Sequence, residues 1–393
     1  MAVSKLVAAA VRLMKQGRLK EAAREFEKVL AQEPQNSQAL LGLARVRLAQ
    51  YDDKAARTVL GRFMALNPTH PEGLSHLARL EAEEGNASAL ELLGTLASQP
   101  NAGFFEWLNH GRALLSAGRH AEATRELERA ARSQPTTQVL TYLGMALQGQ
   151  QRLDEALQRY QAAAAASHTE HLPLLLASRV QTQTGRVGAA MESLRQAILR
   201  APREPGLFRE FATLCLMSGA TDEAQRAAVE LRMLLPASVD AIYLHGLALL
   251  LGDKAGEAEP VLREALSKAP DSPDVRQALA KTRRKQGDDA EALRLLEEAV
   301  RLAPTALGPA NDLAVLHLSR PGGADAARVV MERVLEAHPE DPGAHLNLAL
   351  ALVDSDAGRA LTHARRAQTS PEPHVRAQAE RLVARLGGQG GSA

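Results

Sequence analysis

The chain has 393 residues and a formal net charge of +1; 45% of its residues are hydrophobic, 24% charged and only 3% aromatic. Abundant alanine and leucine with so few aromatics suit helices packed closely through small side chains, and exclude a sandwich or barrel of strands. The near-neutral balance supplies no global field for nucleic acid or an anionic membrane, and the single cysteine, Cys215, excludes an internal disulfide and reads as a small core residue.

The chain opens with MAVSKLVAAAVRLMKQG, in which Lys5, Arg12 and Lys15 fall where an amphipathic helix puts its polar face, and no small-residue cleavage pattern follows. It is read as a first helix and not as a signal peptide. No apolar run approaches the roughly 18 residues of a membrane span, so none is expected and the cytoplasm is the expected location. From here a proline returns about every 34 residues, at Pro34, Pro68, Pro100, Pro135, Pro202, Pro236, Pro270, Pro304, Pro339 and Pro371. The gap from Pro135 to Pro202 is two periods, with His168 in place of the missing proline. Such a period belongs to units of two antiparallel helices, each too small to bury its own apolar face and therefore stacked on its neighbours. One unbroken repeat needs no interior domain boundary.

Residues 3–36 place Gly17, Ala22, Phe26 and Pro34 in register, and the third unit is about two residues short at GNASAL, 85–90. Residues 104–137 carry Trp107, Gly111, Gly118, Ala123, Leu127, Ala130 and Pro135. The clearest unit is 137–170: Leu140, Leu143, Gly144 and Leu147 mark one helix and Ala156, Tyr160 and Ala163 a second. Asp154 is placed to cap that second helix, and small residues at 144 and 156 let the two backbones approach. Residues 239–272 repeat the pattern with Gly246, Ala258, Leu262, Ala265 and Pro270. Ser272 before Pro273 and Asp341 before Pro342 start first helices, and Pro71 and Pro205 occupy the same place. Pro260 is the exception, expected within the first turn of a second helix or at a local bend. The tenth unit gains a residue at 320–325 and the eleventh is compressed at 354–361. A final amphipathic helix, 373–386, turns Val375, Ala379, Leu382 and Leu386 to one side as a cap on the last repeat, and residues 387–393 form a tail expected to be disordered.

These units resemble the tetratricopeptide repeat, with its large residue at place 4, Leu then Gly or Ala at 7 and 8, Ala at 20, an aromatic or Leu at 24, Ala at 27 and Pro at 32. About ten units stand in register. The resemblance implies an all-α, right-handed superhelical solenoid of about eleven hairpins over 3–371, with the capping helix at 372–386. It also implies that the first helix of each unit lines a concave groove, mainly through places 2, 5, 9, 12 and 13.

Place 9 reads Arg45, Arg79, Arg112 and Arg179, then Lys281 in the ninth unit. A ladder of guanidinium forks suits carboxylates or phosphates, which implies an acidic or C-terminal segment as ligand. Ser75, His76 and Asn109 lie on neighbouring places and suit the backbone of an extended peptide. The competing reading is that the arginines pair with Glu72, Glu83 or other local carboxylates and only solvate the groove. The family's carboxylate clamp is incomplete, because Asn109 and Asn347 stand at place 6 without the accompanying lysines. Further on, Leu216, Met217, Tyr243, Leu247, Leu250 and Leu251 put an apolar strip on the concave side, suited to an amphipathic helix or else covered by its neighbours.

The basic run Lys281, Arg283, Arg284 and Lys285 lacks interleaved aromatics and reads as a solvated helix face, not a nucleic-acid site. His168 and His171 lack further ligands at a metal-site spacing, and no cofactor is expected. No phosphate loop, zinc-protease motif or nucleophile elbow is present, and the hairpins leave no segment for a catalytic domain. The expected function is a non-enzymatic scaffold for protein or peptide partners; the alternatives are a subunit of a bacterial envelope, pilus or polysaccharide assembly machine or of an enzyme, and, more distantly, nucleic-acid binding. An N-terminal self-contact through Leu6, Val7, Val11 and Met14, giving a homodimer, is also expected to be open.

Overall fold

A computed structural model describes residues 2–389, and every regular element among them is a helix. The chain divides into two compact units, one ending at Pro202 and the other beginning at Arg203. The first is a stack of hairpins: α1 (Ala2–Lys15) with α2 (Leu19–Gln32), α3 (Ser37–Ala49) with α4 (Asp53–Leu66), α5 (Pro71–Glu83) with α6 (Ala87–Ala97), α7 (Phe104–Ser116) with α8 (His120–Ser133), α9 (Thr137–Gly149) with α10 (Leu153–Ala166), and α11 (Leu172–Gln183) with α12 (Val187–Arg200). The second stacks α13 (Pro205–Ser218) with α14 (Thr221–Leu234), α15 (Val239–Leu251) with α16 (Ala255–Lys268), α17 (Pro273–Lys285) with α18 (Asp289–Leu302), α19 (Leu307–Leu318) with α20 (Ala324–Ala337), and α21 (Pro342–Leu352) with α22 (Ala357–Ala367), closed by α23 (Pro373–Gln389).

Several second helices bury a small–large–small triad at helical spacing: Ala123, Leu127 and Ala130 on α8, Ala156, Tyr160 and Ala163 on α10, Ala258, Leu262 and Ala265 on α16, all with no exposed surface. In these three hairpins the first helix answers with glycine. A Cβ on Gly144 would meet the Tyr160 ring at 2.5 Å, one on Gly246 the Leu262 side chain at 2.5 Å, and one on Gly111 the Leu127 side chain at 2.6 Å. The larger residue of one helix thus fills the space that glycine leaves on the other. Cys215 is fully buried on α13.

The helix starts follow the capping signals. Ser272 Oγ accepts from the Val275 amide and Asp341 Oδ1 from the Ala344 amide, each with proline next in line. Pro71 and Pro205 begin α5 and α13. One local expectation is corrected and one is narrowed. Asp154 lies inside the first turn of α10 and pairs with Arg186 at 2.6 Å, while the cap position is Arg152 with no side-chain cap. Pro260 is past the first turn of α16, so the Gly256 carbonyl, four residues back, lacks that amide partner.

Three units depart from the common length. α6 has 11 residues, and α5 packs on α7 as well as on α6, with Ala78, Ala89, Leu93 and Ala113 forming a small apolar cluster among the three. Between α19 and α20 the extra residue sits in a turn with Gly322 at φ 75°. α21 and α22 have 11 residues each. α23 buries Val375, Ala379, Leu382 and Leu386 and continues to Gln389. Residues 387–389 of the expected disordered tail are therefore helical, and 390–393 lie outside the described residues.

Gly144→Leu is expected to lower stability by about 1–3 kcal/mol, because the new side chain overlaps the Tyr160 ring. Gly256→Ala, with nothing within 4 Å of its Cβ, is expected to raise it by about 0.5–1 kcal/mol. Urea unfolding of the two variants measures both effects, and equal effects would contradict the packing described.

Candidate functional site

In the first unit, place 9 is Arg45 on α3, Arg79 on α5, Arg112 on α7 and Arg179 on α11. Local carboxylates meet three of these cations: Arg45 from the next first helix, Arg79 from its own helix and from α4, and Arg112 from the preceding first helix. Arg45 forks onto Glu72, Nε to Oε1 and Nη2 to Oε2, both at 2.5 Å, with its guanidinium 4.8 Å from the centre of the Phe105 ring. Arg79 has no exposed surface; it donates to Glu83 and reaches Asp53 Oδ1 at 3.5 Å. Arg112 meets the other Glu83 oxygen at 3.3 Å and lies 4.8 Å from the centre of the Tyr142 ring. Arg179 is exposed on α11.

A buried polar chain lies beside these pairs. Asn109 Nδ2 donates to Ser75 Oγ at 2.9 Å and lies 3.0 Å from His76 Nδ1, while His76 Nε2 is 3.4 Å from Glu72 Oε1. An amide nitrogen only donates, so His76 Nδ1 accepts and Nε2 carries the proton toward Glu72. Burial holds the imidazole below its ordinary pKa against the pull of Glu72. Burial also opposes the Glu72 charge, but hydrogen bonds from His76 and Arg45 and the Arg45 charge outweigh it and hold that carboxyl at about 2. Ser75, His76 and Asn109 are buried and bonded to one another, so their polar atoms face a neighbouring helix and not a peptide backbone. Arg79, likewise buried, offers no fork to a ligand. Phe105 and Tyr142 are the members of this layer that sequence reasoning missed; the available signal was an aromatic about one or two repeats beyond each arginine.

In the second unit the apolar strip divides. Leu250 is 2% exposed, while Leu216, Tyr243 and Leu247 are half-buried, the last two packed on the core of that unit. Met217 and Leu251 stand 75% and 51% exposed at equivalent places near the ends of α13 and α15, which pack on each other. The basic run is compensated throughout: Lys281 with Asp312 at 3.1 Å, Arg283 with Glu259 at 3.0 Å and with Asp288, Arg284 with Asp289 at 3.9 Å, and Lys285 with Asp253. At the N-terminal end Val7 is buried, and Leu6, Val11 and Met14 pack on the core of the first unit. Among the described residues no helix is long and apolar enough to cross a membrane.

Because the folded pKa of Glu72 is depressed, its contribution to stability is present above the unfolded value near 4.5 and is lost as pH falls toward about 2. Glu72→Gln is expected to cost about 2–3 kcal/mol at pH 7 and nearly nothing at pH 2. Urea unfolding at several pH values checks this, and a cost independent of pH would contradict it.

Models of the tetratricopeptide repeat match residues 13–80 and 248–308, and a second set matches 108–170 and 311–373. Among solved structures the chain is similar to yeast Tom70, with a TM-score of 0.52 at 13% identity, covering 99% of this chain and 96% of that one. It is also similar to the C-terminal part of a TPR repeat-containing protein from Cytophaga hutchinsonii, with a TM-score of 0.53 at 17% identity, covering 61% of this chain and 99% of that one. Among curated proteins it is 26% identical over 371 residues to cellulose synthase operon protein C of Xanthomonas axonopodis pv. citri, spanning 85% of this chain but 23% of that protein. It is 30% identical over 125 residues to cellulose synthase 1 operon protein C of Komagataeibacter xylinus, 31% of this chain and 9% of that protein. The chain thus spans less than a quarter of the length of either curated relative. With repeat models in both units and repeat packing throughout each, this chain belongs to the tetratricopeptide repeat family, whose stacked hairpins are scaffolds for protein–protein interaction.

Proposed function

We propose that the chain is a non-enzymatic scaffold that seats an amphipathic helix of a partner protein on the first helices of its second unit. The observation that carries this reading is the pair of large apolar side chains, Met217 and Leu251, left 75% and 51% exposed one repeat apart. Leu216, Tyr243 and Leu247 flank them and offer further apolar contact. Apolar side chains at such spacing suit the i, i+3, i+4 anchors of a partner helix. The acidic-peptide reading loses support in the first unit, because Arg45, Arg79 and Arg112 already face carboxylates and Arg79 is buried. A guanidinium already paired with a local carboxylate has fewer donors to offer a ligand.

A second reading concerns the pathway. The similarity to cellulose synthase operon protein C across 85% of this chain supports a role as a repeat segment working with a bacterial polysaccharide-assembly machine. Its test is co-purification of the chain with cellulose-synthase subunits from the source organism; recovery of unrelated enzymes alone would count against it.

The docking reading predicts that a Met217→Glu, Leu251→Glu variant loses its captured partner by at least about tenfold while keeping full helical content. Arg179→Glu in the first unit is expected to keep that partner. Affinity capture read by mass spectrometry, with circular dichroism on each variant, measures this; loss of the partner only with Arg179→Glu would overturn the reading.

A further inference from the structure

Place 4 holds a large apolar residue in most units, such as Trp107, Leu140 or Ile242; in the last hairpin it is His345, which is 2% exposed. Its Nε2 lies 2.9 Å from the Pro339 carbonyl oxygen and its Nδ1 lies 2.9 Å from Nδ1 of His363 on α22. A carbonyl only accepts, so His345 Nε2 carries a proton and Nδ1 is left with its lone pair. His363 must therefore carry its own proton on Nδ1, the less common tautomer, with Nε2 toward solvent. The ring centroids are 5.1 Å apart while the nitrogens are 2.9 Å apart, so each nitrogen lies nearly on the line joining the rings. Lone pair and N–H aimed along one line share a proton; a chelated cation would sit off that line.

We infer that His345 and His363 form a single N–H···N latch between α21 and α22 that makes the C-terminal hairpin and its capping helix selectively labile to acid. One added proton goes to the outer His363 Nε2. A second must go to His345 Nδ1, where it would set two N–H groups head to head at 2.9 Å and abolish the bond. The unfolded chain accepts both protons freely, so acid favours opening.

The surroundings do not relieve this. On α22, Arg359 and Arg366 oppose a further positive charge, and Arg359 already holds Glu332 of α20 at 2.9 Å. Glu340 and Asp341, before α21, favour the charge on His345 but are outweighed by burial, which keeps both imidazoles below their ordinary pKa. The capping helix turns Val375 and Ala379 toward Leu346 and Ala367, so its packed face brings no carboxylate. Opening this hairpin would uncover the apolar surface that α23 covers.

The test uses the full-length chain. Ring 15N shifts at pH 7.5 are expected to show His345 protonated on Nε2 and His363 on Nδ1; an Nε2–H tautomer at His363 would overturn the latch. Hydrogen exchange, corrected for its intrinsic pH dependence, is expected to show protection over 342–389 falling roughly tenfold or more between pH 7.5 and pH 5, with α13–α18 little changed. Equal loss across the second unit, or none, would also overturn it. His345→Asn places an acceptor oxygen that does not titrate beside His363, and is expected to remove the acid-specific loss. If that variant does not fold, the wild-type tautomers and exchange pattern decide alone.

Discussion

Everything in this chain depends on how closely two helix backbones approach within a hairpin. Gly144 against Tyr160 and Gly246 against Leu262 set that distance, because no side chain larger than hydrogen fits at those points. Close approach makes each hairpin a flat building block with apolar residues on both faces. Such a block is unstable alone and is completed by its neighbours, so burial is distributed along the stack and not collected in one centre. In the second unit one core cluster accordingly runs through successive helices, as with Leu249, Leu279, Leu313 and Leu348, while the first unit holds several clusters along its stack.

The two units use their first helices differently. In the first, the short α6 brings α5 directly against α7, and the contact is filled by a polar chain from Arg45 through Glu72 and His76 to Asn109 and Ser75. A buried polar chain is tolerable only when its members are satisfied, and here each has a partner. Arg45 ties α3 to α5 through Glu72, and Arg112 ties α7 to α5 through Glu83. In the second unit the corresponding surface keeps Met217 and Leu251 exposed while its cations are compensated. A surface with balanced charge and uncovered apolar side chains is suited to a partner that brings its own apolar face.

The hairpins were legible because glycine, alanine and proline recur for steric reasons at fixed places. The starts at Pro273 and Pro342 were legible because capping is local chemistry. That the place-9 arginines meet Glu72 and Glu83 was legible as one of two readings, but the sequence did not decide between them. Whether Arg79 reaches solvent or Glu83 depends on how far α5 moves toward α7 once α6 is shortened, and that is a three-dimensional consequence of missing residues. The apolar strip was only partly legible for a similar reason: Leu250 and Leu251 are adjacent in sequence, and a single step of helix rotation buries one and exposes the other. The second-helix cap expected at Asp154 was misplaced by two residues, since Arg152 stands at the cap position without offering an oxygen.

The central claim is that partner binding belongs to the second unit's apolar strip and that the first unit's arginine layer is internal scaffold. Methyl NMR tests it most directly, because each unit carries an exposed methionine on a first helix, Met145 at 38% and Met217 at 75%. On titration with the captured partner, the account predicts that the Met217 ε-methyl signal shifts or broadens while that of Met145 stays in place. Perturbation of Met145 with Met217 unchanged would contradict it.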